Sequence, residues 1–197
     1  MQWNVHQEFA VVADLLTSTS RSKGVDAFAL SLLKAERHAR RMFTYLIFQN
    51  PSFDDEHISQ LRTALVEHET FAFASALAGI DLISPYTLTH LCGDHHATLL
   101  SLLPKIKKRR NKIFHGQLTH ESLSTQELTD MATALMDWSI SLAKNCSNKL
   151  GYDGFESSSF VKHSDAKFAN SLKRQLISIV DYTAFIKESH QAGKAKP

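Results

Sequence analysis

Apolar residues recur at steps of three and four along most of the chain, which is the period of an amphipathic α-helix. The pattern predicts helices over about residues 3–16, 25–48, 55–78 and 164–188. The clearest stripe lies on the second of these helices and consists of Phe28, Leu32, Ala35, Ala39, Met42 and Leu46. Glycine and proline number only seven and four, which disfavours an all-β fold because such folds need frequent turns. The sequence therefore predicts an all-α fold.

Signals for helix ends divide the middle of the chain. Pro51 blocks continuation of the second helix, and Asp54 or Asp55 can cap the third. Ser84 and Pro85 suit the cap and the first turn of a short helix. We therefore expect separate helices on either side of these residues.

A longer helix is predicted between Asp94, which can cap its start, and Gly116, which suits a C-terminal stop. Pro104 lies inside this helix, and we expect a kink or a restart there. The next helix opens with a capping box, in which Ser124 precedes Glu127 by three residues. Its apolar residues at core spacing are Leu128, Met131, Leu135, Trp138 and Leu142.

The organisation predicted from these elements is one helical bundle with a C-terminal helical extension. Residues 1–150 form the bundle in this interpretation. Residues 151–197 provide a polar linker, the last helix and a tail, from about residue 190, that we expect to be disordered. The extension is expected to pack on the same domain, since 197 residues suffice for one domain with a core.

Charge and cysteine content narrow the class of protein. The net charge of +2 predicts no general attraction to nucleic acid, so any such attraction must be local. Cys92 and Cys146 form no CxxC pair, which argues against a zinc finger and fits a reducing compartment. The N-terminus lacks the features of a secretory signal, and no apolar run approaches the roughly 20 residues that cross a bilayer. We expect a cytoplasmic protein without membrane contact.

Histidine placement gives no metal site. Adjacent His95 and His96 point about 100° apart on a helix, so they cannot easily share one ion. His68 falls on the apolar stripe of the third predicted helix and is expected to be a hydrogen-bonded core residue. Because HExxH, GxGxxG, Walker and GxSxG motifs are also missing, the sequence predicts neither a metal nor a cofactor.

Arg110 interrupts an apolar stripe. On the helix that begins at Asp94, this stripe consists of Leu99, Leu103, Ile106 and Ile113, and Arg110 falls in line with it. An unpaired guanidinium inside a core would be very costly. Either Arg110 finds a carboxylate, or this face of the helix borders a cleft or a subunit seam.

The neighbours of Arg110 suit chemistry on RNA. Asn111 and His115 lie in one row of the helix, and histidine exchanges protons near neutral pH. An arginine fork fits phosphate oxygens, and an asparagine can orient a phosphate or an imidazole. Cations around them that would attract RNA are Lys105, Lys107, Lys108, Arg109 and Lys112. Basic residues are also common at helix C-termini because they suit the helix dipole, and that explanation stays open.

The segment RNKIFHG, from Arg110 to Gly116, resembles the R-x-x-x-x-H signature of the HEPN superfamily (higher eukaryotes and prokaryotes nucleotide-binding domains). Members commonly have a polar residue after the arginine and glycine after the histidine, as here. The segment SLSTQELTDMATALMDW resembles the capped, tryptophan-bearing helix that follows the motif in the family. The resemblance is strongest over about residues 95–145 and extends loosely back to Val25.

This resemblance implies a helical bundle that dimerises with the motifs of two subunits at the seam. Many members are metal-independent endoribonucleases of toxin–antitoxin, abortive-infection or CRISPR systems. It implies that the catalytic residues are Arg110, Asn111 and His115, with RNA as substrate and an antitoxin or regulatory protein as a further partner. Gln117 and Leu118 stand where one toxin subgroup has a tyrosine, so the chain departs from that subgroup. Charged residues on an earlier helix that can assist are Glu36, Arg37 and Arg40.

Two other functions fit the same residues. A non-catalytic helical module would bind RNA, a nucleotide or a protein partner through the basic surface and would show no turnover. A purely structural dimer would instead pair Arg110 with a carboxylate such as Glu36.

Overall fold

A computed structural model describes residues 5–68, 72–116 and 124–195 of the chain. Within these ranges the regular structure is helical and contains no strand, which confirms the all-α prediction. The helices are α1 (Val5–Glu8), α2 (Ala10–Thr17), α3 (Lys23–Phe48), α4 (Ile58–Glu67), α5 (Phe73–Ile83), α6 (Leu88–Cys92), α7 (Asp94–Phe114), α8 (Thr125–Leu150), α9 (Phe168–Ser171) and α10 (Ile179–Ala195). A 3-10 turn at Asp55–His57 precedes α4 and is capped by the Asp54 side chain.

The core is built around α3, which lies between α8 and α5. All six residues of its predicted stripe are at most 1% exposed, and the five predicted core residues of α8 are equally buried. The indole of Trp138 on α8 meets the ring of Phe73 on α5 edge-on, with centroids 5.6 Å apart. Full burial of one large apolar side chain contributes about 1.5–3 kcal/mol, so this three-helix contact contributes strongly to the stability of the fold.

The predicted helix over residues 55–78 is wrong, because the structure has two helices there. α4 ends at Glu67, His68 leaves helical geometry with ψ 70°, and α5 starts after the extended Ala72. His68 is only partly buried at this helix end, so its prediction as a core residue is also wrong. Apolar spacing continues across the break, and spacing alone does not register a change of helix direction. Phe71, at the break, lies outside the described residues.

Three other predicted boundaries also differ in the structure. The cap of the short helix α6 is Thr87, whose hydroxyl accepts a hydrogen bond from the His90 amide at 3.2 Å. The Ser84 hydroxyl instead accepts a hydrogen bond from the Tyr86 amide. This bond forms a turn that precedes α6 and is not part of the helix. In α7 the helix continues through Pro104 without a restart. The predicted first helix is interrupted at Phe9, between α1 and α2.

The C-terminal extension differs most from its prediction. The single helix expected over residues 164–188 is the short α9 followed by α10, and α10 continues to Ala195 through most of the segment expected to be disordered. α10 packs on α5 so closely that a Cβ on Gly193 would lie 2.8 Å from the Ala74 carbonyl. Backbone contact with α5 therefore explains why these last turns are ordered.

Residues between α8 and α10 are tied to the end of α3. The Arg41 guanidinium donates to the Tyr152 hydroxyl at 3.1 Å. Lys162 donates to the carbonyls of Phe48 and Asn50, which occupies acceptors that every helix C-terminus leaves open. The Asn50 side chain in turn accepts from the Leu176 amide at 2.7 Å. These contacts join the extension to α3.

His38 on α3 is completely buried and packs against the Phe155 ring, with centroids 4.2 Å apart and ring planes tilted by 40°. Its pKa is lowered to about 3, chiefly because burial disfavours the charged imidazole. The unfolded chain therefore takes up a proton at His38 below its ordinary pKa of 6.5, whereas the native chain does not until about pH 3. Between these values the proton uptake favours unfolding.

We expect the free energy of unfolding to fall as the pH is lowered from about 6.5 towards 3, with His38 contributing at most about 1.4 kcal/mol per pH unit. Urea denaturation over this range should give a flatter pH profile for His38→Leu than for the wild type. His95→Leu, at an exposed position of α7, serves as the control and should keep the wild-type slope. Equal slopes for His38→Leu and the wild type would contradict this role of His38.

Candidate functional site

The apolar stripe of α7 faces the bundle. Leu99 and Ile106 are at most 2% exposed, and Leu103 and Ile113 pack against the core while remaining partly exposed. α7 packs mainly on α8 and touches α3. Burial is complete at Leu99 and Ile106 and incomplete at Leu103 and Ile113, so the C-terminal turns of α7 stand at the edge of the core.

Arg110 lies at this edge rather than inside the core. Its side chain is 48% exposed, and its Nε lies 3.5 Å from Oε1 of Glu36 on α3. The guanidinium also lies over the Phe114 ring, 5.7 Å from the centroid. Burial raises the pKa of the Glu36 carboxyl, while the positive charges of Arg110 and Arg40 oppose that shift. Of the three earlier-helix residues considered from sequence, Glu36 is thus an ion-pair partner of Arg110.

Beside Arg110 a groove of about 540 Å³ opens between α3, α5, α7 and α10. Lys107, Arg110 and Asn111 line it from α7, and Glu36 lines it from α3. The far wall is the first turn of α5 together with His190 and Lys194 near the end of α10. Arg110 therefore has a carboxylate neighbour and also borders a groove, which were the two alternatives for an arginine at this position.

His115 lies beyond the groove. It ends α7 with φ −95° and ψ 10°, and its amide donates to the Asn111 carbonyl at 3.1 Å. Gly116 follows with φ +66°, the left-handed conformation that glycine adopts readily, so the predicted helix stop is confirmed. His115 continues the row of Lys107 and Asn111 about 6 Å further along the helix axis. Its imidazole is exposed and forms no hydrogen bond with another described residue.

The surrounding cations fall into two groups. Lys105, Lys107 and Lys108 are exposed, and Lys112 is partly exposed. Arg109 is different, because its Nη2 donates to Oε2 of Glu127 at 2.7 Å and joins α7 to the first turn of α8. Its charge is compensated within the protein, which makes it the least available of the five for RNA.

Contacts at the start of α8 explain how Glu127 reaches Arg109. The Ser124 hydroxyl accepts a hydrogen bond from the Glu127 amide at 3.3 Å, so the predicted cap of α8 is confirmed. The Glu127 carboxylate is directed towards α7. The capping turn therefore holds the C-terminal half of α7, including the Arg110–His115 segment, against the bundle.

Sequence reasoning missed the contribution of α10 to the groove. His190 was assigned to a disordered tail, but its Nδ1 lies 3.2 Å from the Ser75 hydroxyl of α5. The signal was available in the helical spacing of Tyr182, Phe185, Ile186, Ser189 and Gly193, which are all buried. Its last two positions, Ser189 and Gly193, are small, so a search for large apolar side chains at helical spacing does not find the end of this stripe.

In the described parts of the chain, no three His, Cys, Asp or Glu side chains form a group that could hold a metal ion. The same residues include no helix with the length and apolar character needed to span a membrane. The chain matches no protein-family model, no curated protein and no solved structure. Its function must therefore be argued from its own residues.

The two neighbouring arginines should differ in their effect on stability. We expect Arg109→Ala to lower the free energy of unfolding by about 1 kcal/mol, because it breaks a short, partly buried pair with Glu127. Arg110→Ala should change it by less than about 0.5 kcal/mol, because its contact with Glu36 is longer and half exposed. Urea denaturation midpoints measure both changes. Equal losses of unfolding free energy would contradict the distinction between Arg109, which stabilises the fold, and Arg110, which is available to a ligand.

Proposed function

We propose that the protein is a metal-independent endoribonuclease of HEPN type. The observation that carries the proposal is the exposure of Arg110, Asn111 and His115 together at the end of α7, beside a groove and among exposed lysines. A guanidinium that served only the core would be buried in its ion pair, whereas nearly half of the Arg110 side chain is open to a ligand.

The chemistry needs only an acid, a base and a charge stabiliser. His115 removes the proton of a 2′-hydroxyl, whose oxygen then attacks the adjacent phosphorus, or protonates the departing 5′-oxygen. Arg110 stabilises the negative charge that builds up on the phosphorane. Asn111 orients the phosphate or the imidazole. The P–O5′ bond breaks, which leaves a 2′,3′-cyclic phosphate and a 5′-hydroxyl.

Glu36 is assigned the role of positioning Arg110. A separation of 3.5 Å directs the guanidinium towards the groove without a short, bidentate pair that would occupy its donors. Burial raises the pKa of the Glu36 carboxyl, so uptake of a proton can compensate for the loss of the Arg110 charge when the pair separates. A phosphate can thus replace Glu36 as the partner of Arg110.

We further propose that two copies of the chain meet at this surface. Phe114 lies one turn from Arg110 and Leu33 one turn from Glu36, and each is 51% exposed. Large apolar side chains on both sides of the ion pair fit a seam that would be covered in a dimer. A dimer brings two His115 side chains to one seam, so that one can act as base and the other as acid.

The biological setting is proposed from the HEPN resemblance alone. The resemblance implies a toxin–antitoxin or antiviral defence system, with an antitoxin or regulatory protein as a further partner. A cytoplasmic location is proposed because Cys92 and Cys146 form no CxxC pair and fit a reducing compartment. The exposed lysines supply the electrostatic attraction that RNA binding would need.

One observation favours the non-catalytic alternative. His115 does not line the groove, so Arg110 and Asn111 can bind a ligand without involving the imidazole. In that case the protein would be a module that binds RNA, a nucleotide or a protein partner, with affinity that falls as salt rises and with no turnover.

Removal of the imidazole separates these functions. His115→Ala should slow cleavage of single-stranded RNA in EDTA by about 10²–10⁴-fold, the usual cost of losing a general acid or base. His95→Ala is the matched control, because His95 is exposed in the first turn of the same helix. Cleavage rates are measured by gel electrophoresis of end-labelled RNA, and RNA affinity by fluorescence anisotropy.

Three results would reject the catalytic proposal. Cleavage by His115→Ala at the wild-type rate would show that His115 is not the general acid or base. Loss of wild-type activity in EDTA would show that cleavage needs a metal ion. RNA binding by the wild type without any cleavage would establish the binding module instead.

Introducing a charged side chain into the apolar part of the proposed seam tests whether the chain dimerises there. Phe114→Asp should convert a dimer of the 22.1 kDa chain to monomer in sedimentation equilibrium, because an exposed aromatic contact becomes a buried carboxylate. Val66→Asp is the control, since Val66 is 75% exposed at the end of α4. A wild-type monomer, or equal effects of both variants, would contradict a seam at Phe114.

A further inference from the structure

The interior of the groove is apolar. Leu32 of α3, Phe73 of α5 and Ile106 of α7 contribute to its lining and are each at most 5% exposed. Leu103 and Pro104 extend the same surface along α7. The volume of about 540 Å³ lies within the range of small-molecule sites, roughly 300–1,000 Å³. An occupant would bury hydrocarbon against these side chains.

The rim of the groove carries an excess of positive charge. Lys107 and Arg110 stand on one side and Lys194 of α10 on the other, and all three are exposed. Glu36 is the one carboxylate among the described residues that line the groove. Within the described parts of the chain, the ammonium groups of Lys107 and Lys194 have no hydrogen-bond or ion-pair partner. They are therefore available to an anionic group at the mouth.

Polar groups deeper in the groove are already engaged. The Ser75 hydroxyl is hydrogen-bonded to His190, and the Glu36 carboxylate faces Arg110. A nucleobase or a sugar placed against the apolar wall would leave several polar atoms without partners, at a cost of about 1–3 kcal/mol each. A hydrocarbon body has no such cost, so the wall favours it.

We infer that the groove binds an amphipathic organic anion, such as a medium-chain fatty carboxylate. Its head lies among Lys107, Arg110 and Lys194, and its tail lies against Leu32, Phe73 and Ile106. An anion bound there occupies the guanidinium that the RNA phosphate needs, so it inhibits cleavage by competition. This inhibition rests on the proposed ribonuclease function, whereas the binding itself does not.

Isothermal titration calorimetry with decanoate below its micelle concentration tests the binding. We expect one site per chain, at least about tenfold weaker binding to Ala72→Trp and unchanged binding to Ser101→Trp. Ala72 is exposed and lines the groove, so tryptophan there fills it, whereas Ser101 is exposed on α7 and does not line it. Circular dichroism checks that both variants fold.

Other probes identify the chemistry. Decanol lacks the charge and decylamine reverses it, so both should bind at least about tenfold more weakly than decanoate. Adenosine monophosphate should also bind more weakly, because its base and sugar are polar. Equal affinity for decanol, tighter binding of adenosine monophosphate, or decanoate binding that Ala72→Trp does not weaken would each overturn the inference.

Charge reversal at the rim links binding to regulation. Lys194→Glu should weaken decanoate binding about fivefold, while Lys187→Glu, exposed elsewhere on α10, should not change it. Decanoate should inhibit wild-type cleavage competitively with RNA. Binding without inhibition of an active enzyme would overturn the regulatory claim. Binding by a protein that cleaves no RNA would reject the ribonuclease function, and with it the inhibition, but not the site.

Discussion

The burial of one face of α3 is the constraint on which the rest of the structure depends. That face receives α8 on one side and α5 on the other. The close approach of α5 is possible because residue 79 is glycine, since a Cβ there would lie 2.4 Å from the Phe43 ring. Phe43 also stacks on Phe185 of α10, with centroids 5.9 Å apart. The positions of α5 and α8 are thus set by contacts with α3, whereas α10 packs mainly on α5 and meets α3 at Phe43.

The candidate site follows from this packing. α8 holds α7 through apolar contacts and through the pair between Glu127 and Arg109, so that the C-terminal turns of α7 reach the edge of α3. There the apolar stripe of α7 is only partly covered by the core, and Arg110 occupies the stripe position between Ile106 and Ile113. Glu36 stands opposite, on the edge of the same α3 whose adjoining face is buried. The groove is the space left between these edges and α10, which explains why it has an apolar interior and a charged rim.

Strong periodicity made the stripes of α3 and α8 predictable, because large apolar residues at regular spacing have few alternatives to burial. The place of Arg110 was predictable for the same reason, since a charge on an otherwise apolar stripe has few stable environments. The break between α4 and α5 was not predictable, because residues 67–70 contain neither proline nor glycine. The order of the last turns of α10 also escaped prediction, since it depends on backbone contact at Gly193 rather than on apolar side chains. The partner of Arg110 could not be predicted, because it depends on how α3 and α7 pack against each other.

In the proposed function, Arg110 and His115 serve an attack by the 2′-hydroxyl of RNA without a metal ion. An RNA oligonucleotide with one 2′-deoxynucleotide at a mapped cleavage position tests this most directly, in EDTA, with product ends identified by mass spectrometry. We expect the unmodified strand to give a 2′,3′-cyclic phosphate and a 5′-hydroxyl, and the modified position to resist cleavage because the nucleophile is missing. Cleavage at the deoxynucleotide, or products that carry a 5′-phosphate, would contradict the claim.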